Sequence, residues 1–244
     1  MAKQAPKQAH QPVRQPLSRK ERLRRLLIRT FPAWVILCGV LALGAPNVRN
    51  FVEHLIAVGG YIDESERAVT GNIAPLFTPE VDHWQADIFR WARASSVDPN
   101  LLATVIQIES CGDPNAVSSA GALGLMQVMP FHFAEGENPL DPETNVARGV
   151  GVLTECLFSA YNPQIDVGLA LACYNGGPSV FVNAMADWHP QAQGYYRWGS
   201  GIYRDAAAGL ASSATLDAWL RAGGDALCAA ARRSLGLTEA PSGD

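Results

Sequence analysis

The sequence of 244 residues lacks several features that would place it in common classes of protein. It has no segment of convincing length in which apolar and polar residues alternate, so we expect few or no β-strands. It has no Cys-x-x-Cys pair and no tight cluster of histidines, which argues against a zinc site. We therefore predict a mainly helical domain with no metal and no cofactor.

Lysine is absent beyond residue 20, and charge is distributed unevenly along the chain. Residues 1–30 contain nine basic side chains and one acidic one, a net charge of +8. Residues 46–244 contain ten arginines and 22 acidic side chains, a net charge of −12. These two parts of the chain are expected to face different environments.

An uncharged stretch at residues 30–48 follows a basic cluster at residues 19–25. Basic residues before an apolar run keep the preceding tail in the cytoplasm and send the following chain across the membrane. We predict a disordered basic cytoplasmic tail at residues 1–29 and a membrane segment at residues 30–48, either an anchor or a signal peptide. The long tail and the length of the uncharged stretch favour an uncleaved anchor.

The exported part divides into a connector at residues 49–79, a helical domain at residues 80–236 and a loose tail at residues 237–244. Within the domain, Trp84, Ile88 and Trp91 recur at helical spacing and predict a stripe that faces the core. Further helices are predicted at residues 98–110, 165–174 and 179–188, around 193–208, and at 215–235. Another helix is predicted to begin at residue 141 and has apolar positions up to residue 157.

A helix opened by Asp98 and the following proline contains Glu109 in its last turn. Counting back three, four and seven residues gives Ile106, Val105 and Leu102, the spacing of a buried stripe. Burial and the negative end of the helix dipole should both raise the pKa of this carboxyl. A carboxyl with a raised pKa could act as a general acid. The alternative interpretation is that Glu109 is an ordinary solvated glutamate at a helix end.

Three other segments contain polar residues in unusual surroundings. Residues 118–130 are apolar but rich in glycine, and Gln127 there is either a ligand-binding group or part of a packed loop. Asn145, in the first turn of a helix, is interpreted as a local hydrogen-bonding residue. Tyr174 and Asn175 suit sugar binding, because a pyranose offers a C–H face and many hydroxyls, but they also suit a helix stop.

Four cysteines follow the membrane segment, at positions 111, 156, 173 and 228. An even number of cysteines in an exported domain predicts two disulfides. Four cysteines allow three connectivities, and the residues themselves do not decide among them.

These residues together resemble the catalytic domain of the lytic transglycosylases, of the soluble transglycosylase type with the goose-type lysozyme fold. The resemblance covers about residues 80–205 and rests on motifs in one order. The motifs are Glu109-Ser110, Ser118, Gly121-Ala122, Gly124–Gln127, Met129-Pro130, Asn145, Gly149 and Tyr174–Gly177.

The resemblance implies that peptidoglycan is cut between N-acetylmuramic acid and N-acetylglucosamine. The glutamate that matches Glu109 would first protonate the glycosidic oxygen. It would then act as base on the muramic acid C6 hydroxyl, which closes a 1,6-anhydro ring. An internal nucleophile explains why we find no second carboxylate of the kind that ordinary glycosidases need.

The resemblance also implies roles for other residues. Those expected to bind the sugars and hold the catalytic carboxyl are Ser118, Met126, Gln127, Tyr174 and Asn175. Asn145 and Gly149 are expected to support the fold. A tyrosine late in the family's domain matches either Tyr195 or Tyr196.

The cysteines depart from the family's pattern. Cys111 lies two residues after the acid and Cys173 directly precedes Tyr174, so disulfides would brace the groove. Cys156 stands where the family prefers a large apolar residue. If Cys156 and Cys173 pair in the core, Cys111 must pair with Cys228.

The expected partners are peptidoglycan strands and, through the N-terminal segment, the membrane, with no nucleic acid. Two alternatives stay open. One is a lysozyme-type muramidase that forms a reducing end instead of an anhydro ring. The other is a non-catalytic glycan-binding protein of the cell envelope.

Overall fold

The computed structural model describes residues 54–58 and 72–237. The predicted cytoplasmic tail and the predicted membrane segment lie outside these residues. Residues 54–58 are helical. Within the described ranges, no helix is both long enough and apolar enough to cross a bilayer.

The described part of the chain is mainly helical, as predicted. Isolated bridges join Val117 to Leu123 and Leu123 to Val128, and none of the described residues forms a regular strand. The helices are α1 (Pro79–Asp82), α2 (Gln85–Ser95), α3 (Pro99–Glu109), α4 (Pro142–Leu157), α5 (Val167–Gly176), α6 (Pro190–Ala207), α7 (Ala214–Trp219) and α8 (Asp225–Ser234).

Helix α3 lies in the centre of the hydrophobic core. The Asp98 side chain caps it by accepting hydrogen bonds from the backbone N–H groups of Asn100 and Leu101, and Pro99 occupies the first helical position. All residues from Leu101 to Ile108 are buried, including the predicted core stripe. Helix α6 packs across α3, and α5 packs extensively against α6.

The end of the predicted connector is packed into this core. Residues 73–77 include several buried apolar side chains. The backbone N–H of Ala74 donates to the Asn100 side chain at 2.8 Å. The N–H and hydroxyl of Thr78 both donate to Oε1 of buried Gln107 at 3.2 Å. The apolar residues of this irregular segment follow neither a helical nor an alternating period. Its packing into the core therefore could not be predicted from the sequence.

The helix predicted at Ser179–Trp188 is wrong. Two short 3-10 turns occupy the segment instead, at Pro178–Phe181 and Met185–Asp187. Residues 182–187 are exposed, so no buried stripe stabilises a longer helix there.

Asn145 fixes the glycine-rich loop, residues 118–130, through long-range hydrogen bonds, which the local interpretation of this residue did not anticipate. Its Oδ1 accepts from the backbone N–H of Met126 at 2.8 Å. Its Nδ2 donates to the carbonyl oxygens of Leu123 at 2.7 Å and Pro139 at 2.8 Å. Gly124 has φ of +73°, and a Cβ at this position would lie 2.5 Å from the Asn145 amide. The asparagine can therefore approach the loop only because Gly124 has no side chain.

Replacing Asn145 by alanine should lower the free energy of unfolding by about 2–4 kcal/mol, because a buried N–H and two carbonyls lose their partner. Urea denaturation measures the loss. Asn138→Ala is the control, since Asn138 is exposed and accepts a local bond from the Leu140 N–H. An equal loss in both variants would contradict the role given to Asn145.

Candidate active site

A cleft of about 790 Å³ lies beside the C-terminal end of α3. Its walls come from the glycine-rich loop, the end of α5, the start of α6 and the segment from Trp219 to Leu227. The predicted site residues that line it are Glu109, Ser118, Gln127, Tyr174, Asn175 and Tyr195. The fold therefore brings together side chains that are separated by up to 86 positions in the sequence.

Glu109 is the last residue of α3 and is partly buried. Burial raises the pKa of its carboxyl to about 8, and a hydrogen bond from the Tyr195 hydroxyl partly offsets this rise. The expected elevation of the pKa is confirmed. The carboxyl is therefore mostly protonated at neutral pH and can release a proton into the cleft.

Two tyrosine hydroxyls lie near this carboxyl. Tyr195 donates to Glu109, and Tyr174 donates to the carbonyl oxygen of Met126 at 2.7 Å. Burial, and after it the charge of Glu109, raises the pKa of both tyrosines well above the usual value. Both hydroxyls therefore stay protonated and act as hydrogen-bond donors.

The structure distinguishes the two tyrosines that the resemblance left open. Tyr195 lines the cleft. Tyr196 points elsewhere and packs against Gly168, where a Cβ would lie 2.9 Å from the ring. It also lies edge-on to Trp188, with ring centroids 5.8 Å apart. Tyr195 is thus the tyrosine of the candidate site.

Gln127 has a strained backbone, with φ of 47°, in a region that residues other than glycine rarely adopt. Its Nε2 donates to the carbonyl oxygens of Ala116 and Gly124, each at 3.0 Å. The amide is thereby held at the cleft wall. Ser118 starts the adjoining turn, and its hydroxyl accepts from the Ala122 N–H at 2.9 Å.

Met126 is the predicted site residue whose side chain does not line the cleft. It is fully buried and packs against Gly149, where a Cβ would lie 2.7 Å from the Met126 Cβ and sulfur. Its contribution to the site is its carbonyl oxygen, which fixes the Tyr174 hydroxyl.

A C-terminal wall of the cleft, residues 214–234, was not anticipated from the sequence. It consists of α7, a π-helical turn at Leu220–Gly224, and α8, with a kink at Gly223. Gly223 has φ of 128°, and Gly224 lies so close to Trp219 that a Cβ would be 2.4 Å from its ring. The Gly223-Gly224 pair inside a helical pattern was the one signal of this bend.

Two disulfides are present, Cys111–Cys228 and Cys156–Cys173. The expectation that Cys111 pairs with Cys228 if Cys156 pairs with Cys173 is therefore confirmed. Cys111 follows Glu109 by two positions, and Cys228 directly follows Leu227, which lines the cleft. The first disulfide thus joins the C-terminal wall to the end of α3.

Two polar contacts add to this connection. Arg232 on α8 pairs with the fully buried Glu80, with Nε 2.6 Å from Oε1. Asn115 donates through Nδ2 to the Ser234 hydroxyl at 3.2 Å. The disulfide and the two polar contacts together join the C-terminal wall to residues that precede the glycine-rich loop.

Comparisons with known proteins match part of the chain to a family. Residues 87–193 match the model of the transglycosylase SLT domain. These residues belong to the SLT family. The SLT domain ends within α6, so Tyr195 and the C-terminal wall lie beyond the matched residues.

The SLT domain has relatives among enzymes of bacteria and phage. The chain is 35% identical over 114 residues to a transglycosylase of Enterobacteria phage PRD1 and 41% identical over 134 residues to an endo-type membrane-bound lytic murein transglycosylase A of Klebsiella pneumoniae. It is 30% identical over 128 residues to a membrane-bound lytic murein transglycosylase C of Salmonella arizonae. These matches cover 45–46% of this chain, and 40%, 66% and 36% of the respective relatives.

Removing either disulfide should destabilise the SLT domain, but by different amounts. Cys111 and Cys228 are 117 positions apart and Cys156 and Cys173 are 17 apart. Loop-closure entropy predicts losses of about 5 and about 3 kcal/mol, respectively. Urea denaturation of the two double alanine variants measures these losses.

Amide hydrogen exchange separates a local effect from a global one. In the Cys111→Ala/Cys228→Ala variant, residues 214–234 should exchange faster than the rest of the domain. The Cys156→Ala/Cys173→Ala variant is the control and should keep these residues protected. Equal exchange in both variants would show that the first disulfide does not hold the C-terminal wall.

The stability of the domain should decrease as pH rises through the range in which Glu109 titrates. Its pKa is raised from 4.5 to about 8, so the folded state binds the proton more tightly than the unfolded state. The stabilisation is complete below pH 4.5 and is lost as pH rises to about 8.

Glu109→Gln has no titrating group at this position, so it should gain stability relative to the parent across this range. Urea denaturation at several pH values measures the difference. Glu155→Gln, an exposed change on α4, should follow the parent. A pH-independent difference between Glu109→Gln and the parent would contradict the raised pKa.

Proposed function

We propose that residues 80–236 are a lytic transglycosylase domain of the goose-type lysozyme-like class. The proposed reaction cleaves peptidoglycan between N-acetylmuramic acid and N-acetylglucosamine and forms 1,6-anhydro-N-acetylmuramic acid. The main support is the isolation of Glu109, which is the single carboxylate among the described residues that line the cleft. An ordinary glycosidase would need a second carboxylate near the scissile bond.

In the first step, the protonated carboxyl of Glu109 donates its proton to the glycosidic oxygen. The bond between this oxygen and the muramic acid C1 breaks, and N-acetylglucosamine leaves with the proton. The pKa of about 8 supports this step, because the group holds its proton at neutral pH.

In the second step, the Glu109 carboxylate accepts the proton of the C6 hydroxyl of the same muramic acid. The C6 oxygen attacks C1 and closes the anhydro ring, so that water is not consumed. Burial supports this step as well, since a partly desolvated carboxylate is a stronger base than a solvated one. One group thereby acts as acid and then as base.

The neighbouring side chains are proposed to position the carboxyl and the sugars. The hydrogen bond from Tyr195 restricts the orientation of the Glu109 carboxyl. Gln127, Asn175 and Ser118 line the cleft with amide and hydroxyl groups that suit sugar hydroxyls and N-acetyl groups. Met126 and Tyr174 are proposed to hold the wall through their mutual hydrogen bond.

The proposed location is the cell envelope, outside the cytoplasm. Two disulfides suit an oxidising compartment, and two of the relatives are named as membrane-bound enzymes. The basic cluster followed by the uncharged stretch at residues 30–48 supports anchoring by a single N-terminal segment.

Muropeptides released from purified peptidoglycan should end in anhydro rings, which mass spectrometry identifies by the loss of one water relative to a reducing end. Glu109→Gln should lower kcat by at least about 100-fold, the contribution expected of a general acid–base group. Glu155→Gln is the matched control, because it makes the same chemical change at an exposed position on α4.

The product and the variant test different parts of the proposal. Reducing ends would identify a muramidase instead. Binding of the glycan without any cleavage would identify a glycan-binding protein. Cleavage by Glu109→Gln at the parental rate would remove Glu109 from the mechanism.

A further inference from the structure

Arg197 is a cation at the rim of the cleft. It lies on α6, two positions after Tyr195, and its side chain is exposed while Tyr195 is partly buried. Among the described residues that line the cleft, it is the single lysine or arginine. Residues 46–244 have a net charge of −12, so a guanidinium here is a local exception to an acidic surface.

The guanidinium of Arg197 lies over an aromatic ring and forms no ion pair with the residues that the structure describes. Its Cζ lies 4.2 Å from the centroid of the Trp198 ring, which also lines the cleft. Four other arginines, at positions 90, 148, 204 and 232, each form an ion pair with a carboxylate. Among the described residues, no carboxylate forms an ion pair with Arg197 or with Arg93, Arg221 and Arg233, and of these four only Arg197 lines the cleft.

A stacked guanidinium of this kind suits a carboxylate ligand. Stacking on an aromatic ring occupies the face of the guanidinium and leaves the N–H groups at its edge available. These groups match the two oxygens of a carboxylate and can bind both at once. The ring also restricts the side chain before a ligand arrives, which reduces the entropy lost on binding.

The rim position indicates which part of the glycan would meet Arg197. In the proposed reaction, the scissile bond lies at Glu109 in the partly buried floor of the cleft. The substituent on O3 of muramic acid branches away from the sugar chain, so in the proposed binding mode it would extend from the floor toward the rim. This branch ends in a free lactyl carboxylate or continues as a peptide with carboxylates of its own.

We propose that Arg197 binds a carboxylate on the O3 branch of muramic acid and makes the domain selective for strands that bear it. This inference rests on the proposed function. Arg197 acts in substrate binding and not on the reacting atoms, so its removal should raise KM and leave kcat nearly unchanged.

The test compares three substrates with the full-length chain. The first is peptide-bearing strands, the second is strands stripped by an amidase that leaves the lactyl carboxylate free, and the third is stripped strands whose lactyl carboxylate has been converted to a neutral methylamide. Arg197→Gln should lower kcat/KM about tenfold on a carboxylate-bearing strand, as expected for one charge-assisted hydrogen-bonded pair. It should leave kcat/KM on the neutral strand unchanged.

The substrates identify the source of the carboxylate. A loss confined to peptide-bearing strands assigns Arg197 to the peptide, and a loss on stripped strands assigns it to the lactyl group. The same loss on the neutral strand, or no loss on any strand, overturns the proposal. The effect should also shrink as the salt concentration increases, because Arg197 is exposed.

Two matched variants and one binding measurement complete the design. Arg204→Gln is the control, since Arg204 lies on the same helix but does not line the cleft. Arg197→Lys keeps the charge and should recover part of the loss. Binding of the three strands to Glu109→Gln and to Glu109→Gln/Arg197→Gln reports the preference without turnover. A charge preference that persists when no strand is cleaved would separate failure of the proposed reaction from failure of this inference.

Discussion

The burial of one carboxyl group at the end of a core helix is the constraint on which the rest of the structure depends. Helix α3 is buried from Leu101 to Ile108, so Glu109 leaves the core at the point where the cleft begins. A charge there is costly, and the carboxyl retains its proton at neutral pH. In the proposed reaction this cost is part of the chemistry, because the group would first donate a proton and then accept one.

Such a carboxyl needs walls that stay in place around it. Asn145 holds the glycine-rich loop with two hydrogen bonds, and the loop presents Gln127 to the cleft. On the other side, the Cys111–Cys228 disulfide fixes the C-terminal wall two residues from the acid. These supports on both sides hold the carboxyl and its neighbours in one arrangement, which the proposed catalysis would require.

The C-terminal wall lies beyond the residues that match the family model. The family match ends at residue 193, yet Tyr195, Trp219 and Leu227 complete the cleft. The local sequence gives little indication of this wall, because a wall forms only where a segment distant in the sequence packs on the opposite side of the cleft. Asn145 illustrates the same limit: its position in a first turn predicts a local bond, whereas its partners are 6, 19 and 22 positions away.

The sequence by itself determined the helices that have a cap and a buried stripe, above all α3 and α4, since both signals are local. It also determined the candidate acid, through helical spacing and the order of the motifs. The tertiary structure alone decided that Tyr195 and not Tyr196 faces Glu109, that Met126 contributes its backbone, and which cysteines pair. These outcomes depend on how segments distant in the sequence pack against one another, and such packing leaves no periodic pattern in the sequence.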